Sequence, residues 1–356
     1  MSSATNLNRY HVVRLDAGLF PVNESEAALN VQYGLDPIEV EAFAQEEIIP
    51  RIADCDALVV VSSALPTAVI ESLNRCRVIS RRGIGTDKID VETATRAGIL
   101  VTNVPEFCSG EIADHTIALL LSLARKVPRM SQAMDEGAWS RARKESLSNQ
   151  RLAGRVLGLV GFGGGAQAVA RRAKPFGLRL LATRRNLAAS RHDAAELGVE
   201  MVDLDTLLAE SDYVSLHLPL DAETYHLLDE AKLRKMKPGT FLINTARGAI
   251  VDEMALVAAL SEDRLAGAAL DTFEHIDVFS GREGRPDHPL LGLDNVVLTP
   301  HIASESVQAQ WEVAKGSVEN LVSVLSGRWP LSENIVNPRV VPRVPLSDYD
   351  TSLFED

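Results

Sequence analysis

An α/β protein of two doubly wound parallel-sheet domains, with a cleft between them, is the fold class this sequence predicts. Short runs rich in β-branched residues alternate with amphipathic stretches almost throughout. Several runs are apolar on both faces, as a strand buried between two helical layers must be. One strand-like run also passes through a glycine-rich turn, "GFGGGA" at 161–166, into a helix-like run. The 356 residues suffice for two domains of ordinary size, each with its own core.

An early group of strands is expected at 11–15 (HVVRL), 57–63 (ALVVVSS), 76–80 (CRVIS) and 98–103 (GILVTN). A later group is expected at 155–161, 178–183, 212–218, 240–246, 267–273 and 295–301. Between the groups, 109–126 (SGEIADHTIALLLSLARK) has apolar residues at helical spacing behind a polar, acidic start. That pattern predicts a long helix bridging the domains. A further helix at about 304–326 precedes the turn-rich GRWPLSENIVNP. It is too short for a third domain and is expected to return to the first, so that the chain crosses the cleft twice.

The composition, 46% hydrophobic and 24% charged, is that of a soluble globular protein. A formal net charge of −13 argues against nucleic acid or an acidic membrane as partner. Small anionic substrates stay compatible, because one pocket can be locally positive. The stretch MSSATNLNRYHVVRLDAG has no apolar segment of the signal-peptide kind. The longest uncharged apolar-rich run, His115–Ala124, is too short to cross a bilayer. Cys55, Cys76 and Cys108 lack metal-site spacing and read as buried thiols of a reducing compartment, with cytoplasm the default and no metal expected.

Gly161, Gly163 and Ala166 occupy the three positions of a dinucleotide turn. Gly161 permits a tight turn, Gly163 lets a pyrophosphate approach the backbone, and Ala166 lets helix and strand pack closely. Gly164 and Gly165 open the helix, whose free N–H groups and positive dipole end face the anion. About twenty residues on, an NAD site places Asp or Glu for the ribose hydroxyls. Here Arg184 and Arg185 stand there, in LLATRRN at 180–186. Guanidinium grips a 2′-phosphate bidentately, which favours NADP(H) over NAD(H). The other reading is that one or both arginines are solvated surface residues.

Three more stretches end strands, where open α/β sheets bind ligands: HLPLDAET (217–224), INTARGAIVD (243–252) and LTPHIAS (298–304). Joined to GIGTDKIDVETA (83–94) and TNVPEFC (102–108), in that order and spacing, they closely resemble the D-isomer-specific 2-hydroxyacid dehydrogenases over nearly the whole chain. The resemblance implies a substrate-binding domain split between residues 1–106 and 302–356, an inserted dinucleotide-binding domain at 107–301, and a homodimer. It also implies hydride transfer between NADP, or NAD, and C2 of a small 2-oxo or 2-hydroxy acid.

Residue chemistry agrees with this. Arg247 has the planar fork and permanent charge to hold the carboxylate and polarise the ketone, the role of the family's Arg in "ARG". His301, in "TPH", suits proton transfer because imidazole titrates near working pH. The resemblance gives the backbone of Ile84 and Gly85 to the substrate carboxylate and Asp271 to the nicotinamide carboxamide. It places His217, Leu218, Pro219 and Thr224 along the cofactor, with Thr245 and Ala246 beneath the nicotinamide. His115 is expected to be helix packing, and His11, His192, His226, His275 and His288 surface or loop residues.

Two departures stand out. The family carries a Glu five residues after the Asp of "GAALD", where it bonds the catalytic His; counting from Asp271 reaches Ile276. Glu274 and Asp277 are the nearby acids, either solvated or, for Asp277 after a one-residue shift, a substitute. Without a carboxylate partner the His301 pKa is expected near the unperturbed value of about 6.5. The second departure is Ser62, standing where the phosphoglycerate branch places a phosphate-binding Arg. A small unphosphorylated acid such as glyoxylate or hydroxypyruvate is therefore the expected substrate. The alternatives are a dinucleotide-sensing corepressor-like protein, a cofactor-binding protein with vestigial activity, or formate or phosphite oxidation, on the same fold.

Overall fold

The structure, a computed structural model, describes residues 7–42, 44–187, 192–280 and 283–354. The chain divides into two compact units, Met1–Phe107 with Phe279–Gly281 and Ser306–Asp356, and Cys108–Val278 with Arg282–Glu305.

The first unit has five parallel strands: β1 (Val12–Leu15), β2 (Ile38–Val40), β3 (Ala57–Val60), β4 (Val78–Arg81) and β5 (Leu100–Thr102), in the order β2-β1-β3-β4-β5. Its helices are α1 (Glu24–Tyr33), α2 (Gln45–Ile52), α3 (Thr67–Glu71), α4 (Val91–Arg96) and the chain's last, α13 (Val307–Leu325). Side chains alternate across the strands and so feed two cores. Val13, Leu15, Leu58, Val60, Ile79 and Val101 pack with Ile48, Ile52, Val69 and Ile70. Val12, Ala57, Val59, Val78 and Leu100 pack with Val318, Leu321, Val322 and Leu325 of α13. The expected strand at 57–63 stops at Val60 because Asp16 takes the next three backbone N–H groups.

The second unit opens with α5 (Ser109–Arg125), α6 (Val127–Asp135) and α7 (Trp139–Ser146). Then follow β6 (Val156–Val160), α8 (Gly164–Ala173), β7 (Arg179–Thr183), α9 (His192–Leu197), β8 (Val199–Met201), α10 (Leu204–Glu210) and β9 (Tyr213–Leu216). It continues through α11 (Glu230–Lys235), β10 (Phe241–Asn244), α12 (Glu253–Ser261), β11 (Gly267–Leu270) and β12 (Val296–Leu298). All pairs are parallel, in the order β12-β11-β10-β9-β6-β7-β8. Small residues on α8 (Ala166, Ala170 and Ala173, all fully buried) let it lie close to Ala113, Ile117 and Leu120 of α5. Among the described residues no helix is long and apolar enough to cross a membrane, and no group of side chains has metal-site geometry. The three cysteines are buried.

Candidate active site

In the second unit the strand order reverses between β6 and β9, which opens a crevice beyond their C-terminal ends. Gly161 follows β6 with φ +94°, and a β-carbon there would collide with the His217 carbonyl. Its N–H donates to Thr183 O at 3.0 Å, and the His217 N–H to Val160 O at 2.7 Å. Gly163 precedes α8 without any side-chain cap. A β-carbon at Gly163 or Gly165 would meet nothing within 4 Å. The first-turn N–H groups of α8, beginning at Gly164, thus have no side-chain cap, and the backbone at Gly163 and Gly165 admits close approach.

Arg184 and Arg185 follow β7. Arg184 Nη1 lies 3.2 Å from Asp193 Oδ2, which also accepts from Gln167 Nε2. Arg185, with its side chain 67% exposed, meets Asp221 at 2.8 Å and Glu223 at 2.9 Å. The Arg185 hydrogen bond holds the Asp221 carboxyl below its ordinary range. Asp221 and Thr224 also knot the loop after β9: Asp221 N–H donates to Thr224 Oγ1 at 2.7 Å, and Thr224 Oγ1 donates to Pro219 O at 2.8 Å. Leu218 is half-buried in that loop and Pro219 exposed. Desolvation pushes the His217 imidazole down to about 4, so it is neutral at working pH, 2.9 Å from Ser215 Oγ.

Thr245, Ala246 and Arg247 follow β10. The buried Asn244 side chain shapes this turn, accepting from Ala246 N–H at 3.0 Å and donating to Arg247 O at 2.8 Å. Thr245 Oγ1 lies 3.2 Å from Thr116 Oγ1 of α5. A β-carbon at Gly248 would collide with the backbone of Phe273 and Glu274, so the Arg247 turn rests directly on that segment. Glu253 fixes the segment from below, accepting from His275 N–H at 2.9 Å.

Asp271 follows β11 and is fully buried. It accepts from Thr299 Oγ1 at 2.6 Å, Ile302 N–H at 2.9 Å and Ala303 N–H at 2.9 Å. His301 lies between those donors, in the left-handed region at φ +59°. A non-glycine residue there is strained, and the carboxylate bonds on both sides hold it in place. Asp271 thus has a task beyond the expected cofactor contact: it fixes the turn that carries His301. His115 corrects its expectation as mere packing, since its Nε2 lies 3.0 Å from Thr299 Oγ1. With its own proton given to Asp271, that hydroxyl is the acceptor.

His288 lies in a loop, as expected, with its side chain buried 3.7 Å from Glu253. His226 is half-buried and meets both Glu274 oxygens at 2.8 and 2.9 Å, while Tyr225 OH donates to the same carboxylate. Glu274 is therefore turned towards His226. Asp277 lies in the loop just beyond. In the first unit, Ile84 and Gly85 follow β4, with Ile84 37% exposed.

Residues 117–303 match the family model described as D-isomer specific 2-hydroxyacid dehydrogenase, NAD binding domain. A glyoxylate reductase of Korarchaeum cryptofilum is 43% identical over 301 residues, covering 84% of this chain and 87% of its own. The chain belongs to the D-isomer specific 2-hydroxyacid dehydrogenase family. A D-3-phosphoglycerate dehydrogenase of Archaeoglobus fulgidus is 36% identical over 93% of this chain and 60% of its own. An acyclic imino acid reductase, Bsp5, solved with NADPH and D-Arg, superposes with a TM-score of 0.80 at 28% identity, over 91% of this chain and 99% of that one. As a 2-hydroxyacid dehydrogenase the protein is an oxidoreductase that uses a nicotinamide cofactor on the C2 centre of a 2-hydroxy or 2-oxo acid. In this dehydrogenase the arginine partners Asp193, Asp221 and Glu223, and the support from His115, had no local sequence signal. They meet their targets only through the fold.

Proposed function

We propose that this dehydrogenase is an NADPH-preferring reductase of a small unphosphorylated 2-oxo acid such as glyoxylate or hydroxypyruvate. The observation that carries this reading is the gathering of Gly161, His217, Arg247, Asp271 and His301 at the C-terminal ends of one parallel sheet. A nicotinamide dinucleotide fits the chain there: an uncapped helix start with open space at Gly163 and Gly165 suits its pyrophosphate. When bound, it supplies the hydride.

Arg247 holds the carboxylate and polarises the C2 carbonyl. His301 gives its proton to the oxygen formed at C2. Asp277 pairs with His301, Glu274 being engaged by His226. Ile84 and Gly85 give backbone N–H groups to the carboxylate. His217, Leu218, Pro219, Thr224, Thr245, Ala246 and Asp271 line the cofactor, with Gly161 to Gly165 at its phosphates and Arg184 and Arg185 at the 2′-phosphate. The substrate domain is 1–106 with 302–356, and the nucleotide domain 107–301. Against a phosphorylated substrate, Ser62 bonds the buried Asp16 carboxylate through both N–H and hydroxyl, and that negative charge repels phosphate.

A homodimer in the cytoplasm completes the reading. Val127, Met134, Trp139 and Leu147 are exposed on and beside α6 and α7, where Met130, Met134, Trp139, Ala142, Arg143 and Ser146 line a mostly apolar pocket. A second copy of the chain covers this face; a monomeric mass in solution by light scattering would remove that element.

The deciding experiment is a panel of 2-oxo acids assayed with NADPH and with NADH. Turnover favouring NADPH is expected, with Arg184→Asp abolishing the preference; equal use of both cofactors by the unmodified protein refutes it. His301→Asn and Arg247→Gln should each lower kcat/KM about a thousandfold. Reduction needs protonated His301, and a paired carboxylate raises its pKa. Asp277→Asn should therefore move the alkaline fall in rate to lower pH; an unmoved profile dismisses Asp277.

A further inference from the structure

The loop after β4 has an unusual hydrogen-bond pattern. The Gly83 carbonyl accepts from Val104 N–H at 3.0 Å. The Ile84 carbonyl accepts from Asn103 Nδ2 at 2.7 Å, and the Gly85 carbonyl from Arg81 Nε at 2.9 Å. Three successive carbonyls are thus drawn to the protein. In a trans peptide the N–H of the next residue points opposite to the carbonyl in the same plane. Fixing the carbonyls of Gly83 and Ile84 therefore aims the N–H groups of Ile84 and Gly85 the other way. Among the described residues no hydrogen bond uses either N–H. Two adjacent outward N–H groups form an anion-receiving concavity.

Asn103 is itself held. Its N–H donates to Asn334 O at 3.0 Å, and its carbonyl accepts from Asn320 Nδ2 at 3.0 Å. Asn320, 1% exposed on α13, accepts in turn from Asn334 Nδ2 at 2.9 Å. A chain of asparagine amides thus runs from the C-terminal segment to the Ile84 carbonyl.

We infer that Asn103 is a positioning residue for substrate: its side-chain amide turns the Gly85 N–H outward to receive the carboxylate of the 2-oxo acid. This rests on the proposed binding of that carboxylate by Ile84 and Gly85. The amide acts on ground state and transition state alike, so its loss appears in substrate affinity rather than in turnover.

The test is steady-state kinetics of Asn103→Leu and the isosteric Asn103→Asp on whichever 2-oxo acid the native protein turns over, with melting temperatures recorded alongside. KM for the acid should rise about tenfold in the Leu variant, the loss of one oriented hydrogen bond, and further in the Asp variant, which sets a negative charge beside the site. kcat and KM for NADPH should stay within about twofold, where a merely structural role would move them together with the melting temperature. Unchanged KM for the acid in both variants, beside an active native protein, overturns the role of Asn103 and leaves the proposed function standing. A native protein that turns over no 2-oxo acid overturns both.

Discussion

Both sheets reverse their strand order once, and they finish the reversal with opposite materials. Between β1 and β3 the crevice is closed by Asp16, which is buried, left-handed at φ +64°, and bonded to the N–H groups of Val61, Ser62 and Ser63 and to both serine hydroxyls. Between β6 and β9 stands Gly161, without a side chain, beside an uncapped helix start. The same topology thus yields a plugged crevice in one unit and, in the other, an open one beside an uncapped helix start. In the first unit the outward N–H groups lie one strand further along, after β4. Asp271 repeats the device of Asp16 in the second unit, but there the tethered loop carries His301.

The largest expected effect breaks this contrast directly. Gly161→Ala places a methyl group against the His217 carbonyl in a backbone region hostile to side chains, and should weaken NADPH binding at least about a hundredfold by fluorescence titration. Retained affinity would show that the open crevice is not the cofactor's seat. Next come the paired variants Asp271→Asn and Asp16→Asn. Each loses charged acceptors for several buried donors, at a cost of about 3 kcal/mol in stability. Only Asp271→Asn should also lower kcat, about tenfold or more, because only its loop carries His301, the proposed acid/base. Equal kinetic damage from both would erase the distinction.

Most of the architecture was legible because buried parallel strands such as VLGLV and LRLLAT are apolar on both faces and meet glycine or a turn. β2 and β8 were not, since each is a three-residue edge strand, and β2 exposes two of its three residues. The glycine turn and "TPH" were legible because their chemistry is local. The ion pairs of Arg185 with residues 36 and 38 positions away, and the bond from His115 to Thr299 across 184, leave no pattern in a linear reading. The burial of the His288 side chain within its loop was not legible for the same reason: it caps the turn Pro289–Gly292 and lies against the buried Glu253.

The smallest expected effect concerns acid. His217, at the open crevice, has its imidazole lowered from 6.5 to about 4 by desolvation. Between those values the unfolded chain binds a proton that the folded chain refuses, so stability falls as pH drops through that window and is flat below it. The full shift corresponds to roughly 3 kcal/mol as an upper limit, reduced where water reaches the ring. Asp16, at the closed crevice, behaves differently. Burial alone raises its carboxyl, but the Ser63 hydroxyl and the N–H groups of Ser62, Ser63 and Val61 together outweigh burial and hold it below 3.8. Its contribution is present above 3.8 and disappears only as pH falls through the lower, folded value. The second unit should therefore weaken first on acidification, near pH 5, and the first unit only below about pH 4. Hydrogen exchange of β6 and β9 amides against those of β1 and β3 follows the two separately. In the cofactor-free protein, His217→Asn should flatten the decline between pH 6.5 and 4 in the second unit alone. Parallel exchange curves for the variant and the native protein would mean that His217 is already hydrated enough to charge freely, and that the two crevices differ in shape but not in their response to protons.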